Sequence, residues 1–184
     1  MKKFSSTEKL LIKKLASKNQ KIFTLQEIID SFWPNNIALE YSTFQQTATF
    51  HLDSQLSPEQ QNTLLQKRMF WLLEFTNGLK YLEQNGYLGS LHDLPLQDNT
   101  QLLGTKPALE NDAVYNFTDL NLLREFLQAA GKKYKSQTSI KQLLHNNFKS
   151  QDTALLQKLN ERVTIGFITI IIIAIIQLIV FIIS

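Results

Sequence analysis

Ser90, His92 and Asp93 lie within four residues of one another, and His92-Asp93 is the only adjacent His–carboxylate pair in this sequence. A hydrolytic triad needs the serine on a strained Gly-x-Ser-x-Gly turn, and no such turn surrounds Ser90. Near neighbours on a strand also point to opposite faces, which separates the three side chains. Metal binding needs clustered His, Cys, Asp or Glu. The chain has no cysteine, and His51, His92 and His145 stand apart in sequence. Carboxylate pairs such as Glu110 and Asp112 fall in a polar stretch. Six glycines are present, but none forms the Gly-rich strand-to-helix turn that cradles phosphate. No catalytic residue, no metal site and no cofactor is therefore expected, and a non-enzymatic protein is the favoured reading.

Basic residues are the next candidates. Lys9, Lys13, Lys14 and Lys18, with Lys2 and Lys3 before them, could face phosphate. The same spacing around Leu11 and Leu15 describes an ordinary solvated helix face, and no arginine lies there to read guanine. Nucleic acid is disfavoured as a partner. Residues 1–50 carry a net charge of +3, residues 51–130 a net of −5 and residues 131–162 a net of +5. The last group comprises Lys132, Lys133, Lys135, Lys141, Lys149, Lys158 and Arg162. It precedes "VTIGFITIIIIAIIQLIVFIIS", 22 residues without a charge, 11 of them isoleucine.

At ~1.5 Å per residue that stretch would reach about 33 Å as a helix, enough for a hydrocarbon core of ~30 Å. The sequence predicts a transmembrane anchor over 163–184. No secretory signal is visible in "MKKFSSTEKLLIKKLASK", whose apolar run is too short. With Lys158 and Arg162 before the span and no cation after it, residues 1–162 are expected in the cytoplasm. The expectation is a tail-anchored, single-pass membrane protein whose basic cluster touches membrane lipid. Within the span Gly166, Thr169, Ile173 and Gln177 share one face. Gly166 permits close approach and the Gln177 amide calls for a partner, so identical helices are expected to associate there as a homo-oligomer.

Certain elements must position these groups. Ser5 and Glu8 make a capping box before one helix, and Thr24 and Glu27 repeat the pattern before "LQEIIDSFW". "IALEY" and "TATFHL" alternate around a polar link and predict a β-hairpin. Ser57, Pro58 and Gln60 open a long helix that Gly86 stops. Its stripe of Leu65, Met69, Leu72, Phe75, Leu79 and Leu82 is widened by Phe70, Trp71 and Leu73, as befits a central core helix. "YLGSL" reads as a short strand, and Val114–Phe117 as another. Asp119 caps a helix that Gly131 ends, and Ser139 opens another. From Asp152 a helix is expected to continue unbroken into the anchor.

The resulting fold class is mainly α with a small β-hairpin. Its domains are 5–92, a polar linker or long loop at 93–113, a small helical neck at 114–150, and a juxtamembrane helix at 152–184. The stretch "LKYLEQNGYLGSL", a helix ending Asn-Gly before a strand and following two short capped helices, resembles a winged helix. Together with "FTDLNLLREFLQ" and "SIKQLLHNNFKSQ", the layout is similar to small bacterial proteins with a winged-helix-like cytosolic head, a helical neck and a C-terminal membrane anchor. The long helix departs from DNA-binding winged helices, being close to neutral. Function is read as a tail-anchored, self-associating protein-interaction module with a cytosolic protein partner. The alternatives are a membrane-perturbing effector of a bacterial defence or toxin-like system, and a membrane-bound transcription regulator.

Overall fold

The computed structural model describes residues 3–18, 21–34, 37–91, 100–104, 112–149 and 153–165. Local sequence signals account for most element starts. Helix α1 (Ser6–Ser17) begins at the Ser5 cap, whose hydroxyl accepts from Glu8 N–H while the Glu8 carboxylate accepts from Ser5 N–H. β1 (Ile22–Thr24) runs straight into α2 (Leu25–Ile29), capped by Thr24. β2 (Ile37–Ser42) and β3 (Thr47–Asp53) form the hairpin. α3 (Pro58–Gln84) starts with a complete Ser57/Gln60 box and a proline in its first turn. Gly86 follows at φ +70°, the left-handed conformation that ends helices.

β4 (Leu88–Leu91), β5 (Gln101–Leu103) and β6 (Asp112–Asn116) precede α4 (Leu120–Ala130), which Asp119 caps through the N–H groups of Asn121 and Leu122. β7 (Lys133–Ser136) and α5 (Ser139–His145) follow, and residues 153–165 are again helical.

The strands form two antiparallel sheets, one of three strands in the order β1-β7-β4 and one of four in the order β5-β2-β3-β6. The expected fold class, mainly α with one hairpin, is thus corrected to mixed α/β. The hairpin is the middle of a larger sheet. Two of the three unforeseen strands, β1 and β5, are three residues long, too short to show a period of two. The third, "KYKS", alternates but is charged on its outer face.

Alternation assigns each strand an inner and an outer face. In the four-stranded sheet Leu39, Tyr41, Phe50 and Leu52 are buried on the inner face. There Tyr41 meets Phe126 of α4 edge-on at 5.1 Å, and Phe50 stacks on Phe117 at 5.5 Å. In the three-stranded sheet Phe23 stacks on Tyr134 at 6.0 Å. Helix α3 touches both sheets, through β3 and β4, and packs along α1 and α4. Its Leu72, Phe75, Leu79 and Leu82 are buried, while Leu65 and Met69 are half-buried.

Two tight fits fix the connections. Trp33 lies edge-on to Trp71 at 5.9 Å, and its indole N–H donates to the Ile37 carbonyl at 2.7 Å. Gly104 sits against that indole at φ +77°, where an added Cβ would fall 2.2 Å from the ring.

Chain contacts separate two compact units, residues 3–141 and residues 142–184 with 1–2. Inside the first unit β7 pairs with both β1 and β4.

No helix among the described residues is long and apolar enough to cross a membrane. The longest, α3, carries Lys67, Arg68, Glu74, Lys80 and Glu83, and the run 153–165 carries Lys158, Glu161 and Arg162. A charge at a bilayer centre is costly, so neither run qualifies. The expected single-pass, tail-anchored membrane protein with a cytoplasmic head is corrected on this finding. Residues 166–184, including Gly166, Thr169, Ile173 and Gln177, lie outside the described residues.

Candidate functional site

The outer face of the four-stranded sheet holds a cluster that the sequence did not suggest. His51 lies on β3 between Ala38 of β2 and Val114 of β6. Its Nε2 stands 2.9 Å from Glu40 Oε2, and its Nδ1 stands 3.5 Å from Asp112 Oδ2. The His51 and Asp112 side chains are each only 12% exposed. Neither ring nitrogen makes an aligned hydrogen bond, so only a protonated ring would be attracted to the two carboxylates. An imidazolium here faces a carboxylate on both sides.

Three chemistries can be weighed for this histidine. A metal ion takes one ring nitrogen and needs its other ligands on the same side. Here the two carboxylates flank opposite nitrogens, and no group of three ligating residues able to hold a metal occurs among the described residues. A base that activates a nucleophile needs one nitrogen turned to the nucleophile and the other to an orienting group. Both His51 nitrogens already face carboxylates. What remains is a three-strand clasp, tying β6 to β3 and β2 on the side away from the inner core.

Strand alternation puts His51 on the same face as Thr47 and Thr49, and hairpin pairing brings Glu40 near it. That much could have been read from the sequence. Asp112 could not, since it comes from a segment that reads as linker. Of the residues first considered for chemistry, Ser90 lies half-buried on β4 opposite Tyr134, and His145 is exposed at the end of α5. His92, Asp93 and Glu110 lie outside the described residues.

A cleft of about 370 Å³ runs between α3 and α4, lined among others by Leu79, Lys80, Glu83, Glu125 and Lys132. Lys80 pairs with Glu125 at 2.9 Å and Lys132 with Glu83 at 3.0 Å, so its charges are already matched across it. At its floor Tyr134 donates to the Ala129 carbonyl at 3.0 Å. Burial, and then the nearby Glu83 carboxylate, push the Tyr134 phenol well above its usual range.

Tyr41 is pushed up likewise, by burial first and then by Asp30. Burial raises the Asp30 carboxyl, against the opposing effect of the Gly104 N–H and Gln26. It also lowers the half-buried Arg68 guanidinium.

The expected basic cluster is divided between the two compact units. In the first, Lys132 is paired, Lys141 is exposed on α5, and Lys133 and Lys135 point outward from β7. In the second, Lys149 bonds Gln157, while Lys158 and Arg162 lie exposed in the helical run 153–165.

The widened apolar stripe of α3 does not go wholly inward. Phe70 is 61% exposed and Leu73 38%, on the same unit as Leu10 of α1 at 48%. No protein-family model, no curated protein and no solved structure matches the chain.

Proposed function

We propose that the chain is a non-enzymatic protein-interaction module that binds another polypeptide through the outer surface of α1 and α3. The observation that carries this reading is Phe70, an aromatic left 61% exposed in the middle of the helix that otherwise builds the core. Helices α1 and α3 run antiparallel. Phe4 touches Tyr81 at 5.3 Å, and the Thr7 hydroxyl donates to Glu74 at 2.6 Å. Leu10 of α1 and Phe70 and Leu73 of α3 are exposed on the same compact unit. An exposed aromatic anchor is what protein interfaces use.

The strand order β1-β7-β4, with α1 before β1 and α2 and α3 before β4, supports the likeness to winged helices within a mixed α/β chain. Two additions distinguish it: the hairpin β2-β3 after α2, and β5, β6 and α4 between β4 and β7. A nucleic-acid partner gains little support from α3. Its Lys80 is paired with Glu125, and Arg68 is half-buried.

A photoreactive phenylalanine analogue placed at position 70 of the full chain tests the proposal in cells. A discrete crosslinked protein at position 70, with none from the same analogue at exposed Gln84, supports it, and an adduct twice the chain mass identifies self-association. No adduct, or the same adducts at both positions, overturns it.

A further inference from the structure

β6 is an edge of the four-stranded sheet, with β3 as its single neighbour among the described residues. The Phe117 N–H donates to the Ala48 carbonyl at 3.2 Å, and the register of β6 on β3 continues unbroken from there. Successive residues of a strand turn their backbone groups to opposite sides. Ala113, Tyr115 and Phe117 therefore face β3, while Asp112, Val114 and Asn116 turn their N–H and C=O groups outward. No backbone partner meets those outward groups among the described residues.

An open strand edge pairs with another chain unless shortness, a lysine, a proline or a bulge blunts it. The opposite edge of this sheet, β5, is only three residues long. β6 has five residues, "DAVYN", with no lysine, no proline and no bulge against β3. Val114 at its middle is 59% exposed.

We propose that β6 pairs antiparallel with β6 of a second copy of this chain, joining the two four-stranded sheets edge to edge. A two-fold axis through Val114 sets it against the partner's Val114, and sets Asp112 against the partner's Asn116. The outward backbone groups of all three residues are then paired. The side chains agree with this register. Two exposed valines meet on the axis, and on either side of it a carboxylate stands across from an amide. The two Asp112 carboxylates fall at opposite ends of the ladder, so no like charges are opposed. A foreign extended segment offers the same backbone groups. A second copy also supplies matching side chains at every position, as a two-fold interface requires. This edge is distinct from the exposed residues of α1 and α3.

The chain has no cysteine, so a single introduced thiol reports which positions meet across the axis. Hydrogen-bonded antiparallel neighbours have Cα atoms about 5.5 Å apart, within the roughly 4.4–6.8 Å that a disulfide spans. In the full chain, Val114→Cys should give a disulfide-linked dimer under mild oxidation. Asn116→Cys should not, because the two copies of that position lie roughly 14 Å apart along the strands. Sedimentation of the unmodified chain should show a dimer at micromolar concentration. Val114→Lys, which opposes two ammonium groups on the axis, should weaken it about tenfold or more. Val114→Pro removes an N–H that points away from β3 and serves as the second variant, checked by its melting curve, should the lysine variant fold poorly. A monomeric unmodified chain, equal crosslinking at both positions or at neither, or a dimer unchanged by both Val114 variants overturns the proposal. So does a dimer that dissociates in Phe70→Ser but in neither Val114 variant, which would assign self-association to α1 and α3.

Discussion

On the outer face of β5-β2-β3-β6, His51 sits between Glu40 and Asp112, whereas on the outer face of β1-β7-β4, Lys133 and Lys135 stand with no carboxylate among the described residues. Both faces are built by the same alternation, and both look away from a buried aromatic pair. In the first, His51 and Asp112 are largely shielded from water and Glu40 is partly exposed. The second leaves flexible ammonium groups in solvent beside two aliphatic side chains. Charges that neutralise one another within a chain act on its architecture. Charges left open at the centre of a sheet have solvent as their surroundings.

The inner faces set the scale for this comparison. Phe50→Ala removes a fully buried ring stacked on Phe117 and should cost about 3–5 kcal/mol in denaturant unfolding. Alkaline pH should act on both sheets together. Tyr41 and Tyr134, one in each, have phenols raised above the unfolded value of about 10. The folded state holds these protons more tightly, so their contribution is complete below pH ~10 and is lost as pH rises further. Unfolding and tyrosinate absorbance should therefore rise together, and Tyr41→Phe with Tyr134→Phe should flatten the alkaline decline.

A smaller effect separates the outer faces. His51→Ala leaves Glu40 and Asp112 facing each other across a shielded gap and should destabilise by about 1–3 kcal/mol. Lys133→Ala with Lys135→Ala should stay within about 0.5 kcal/mol, as solvated positions do. If the lysine pair cost as much as the histidine, the contrast between the faces would collapse.

Much of the local architecture was legible. Ser5 with Glu8 and Ser57 with Gln60 form the boxes that their spacing announces, and Asp119 caps its helix. The hairpin and the Gly86 stop were also visible. These are signals between near neighbours, and near neighbours meet whatever the rest of the chain does. Pairing between distant strands carries no such mark. "KYKS" reads as part of a basic cluster until Ile22 and Leu88 are seen on either side of it, and "QLL" reads as linker until it lies beside β2. The His51 cluster failed for the same reason, needing β6 in place before Asp112 arrives. Phe70 misled differently. A helix with apolar residues nearly all round suggests complete enclosure, but packing by α1, α4 and the sheets leaves one side of α3 uncovered.

The place of β7 has a consequence for how the molecule comes into being. Among the described residues β1 and β4 are not neighbours; each pairs with β7 alone, the last of the described strands. Ile22 must wait for Lys135, about 110 residues later, and such distant closures are slow. During synthesis the hairpin β2-β3 can zip within microseconds of emerging. Phe23 and Leu88 must wait beneath unfinished strands. A ribosome that stalls before Tyr134 would hold a chain with its helices and one sheet begun, its other half open to misassembly. The last strand to leave the tunnel is the keystone.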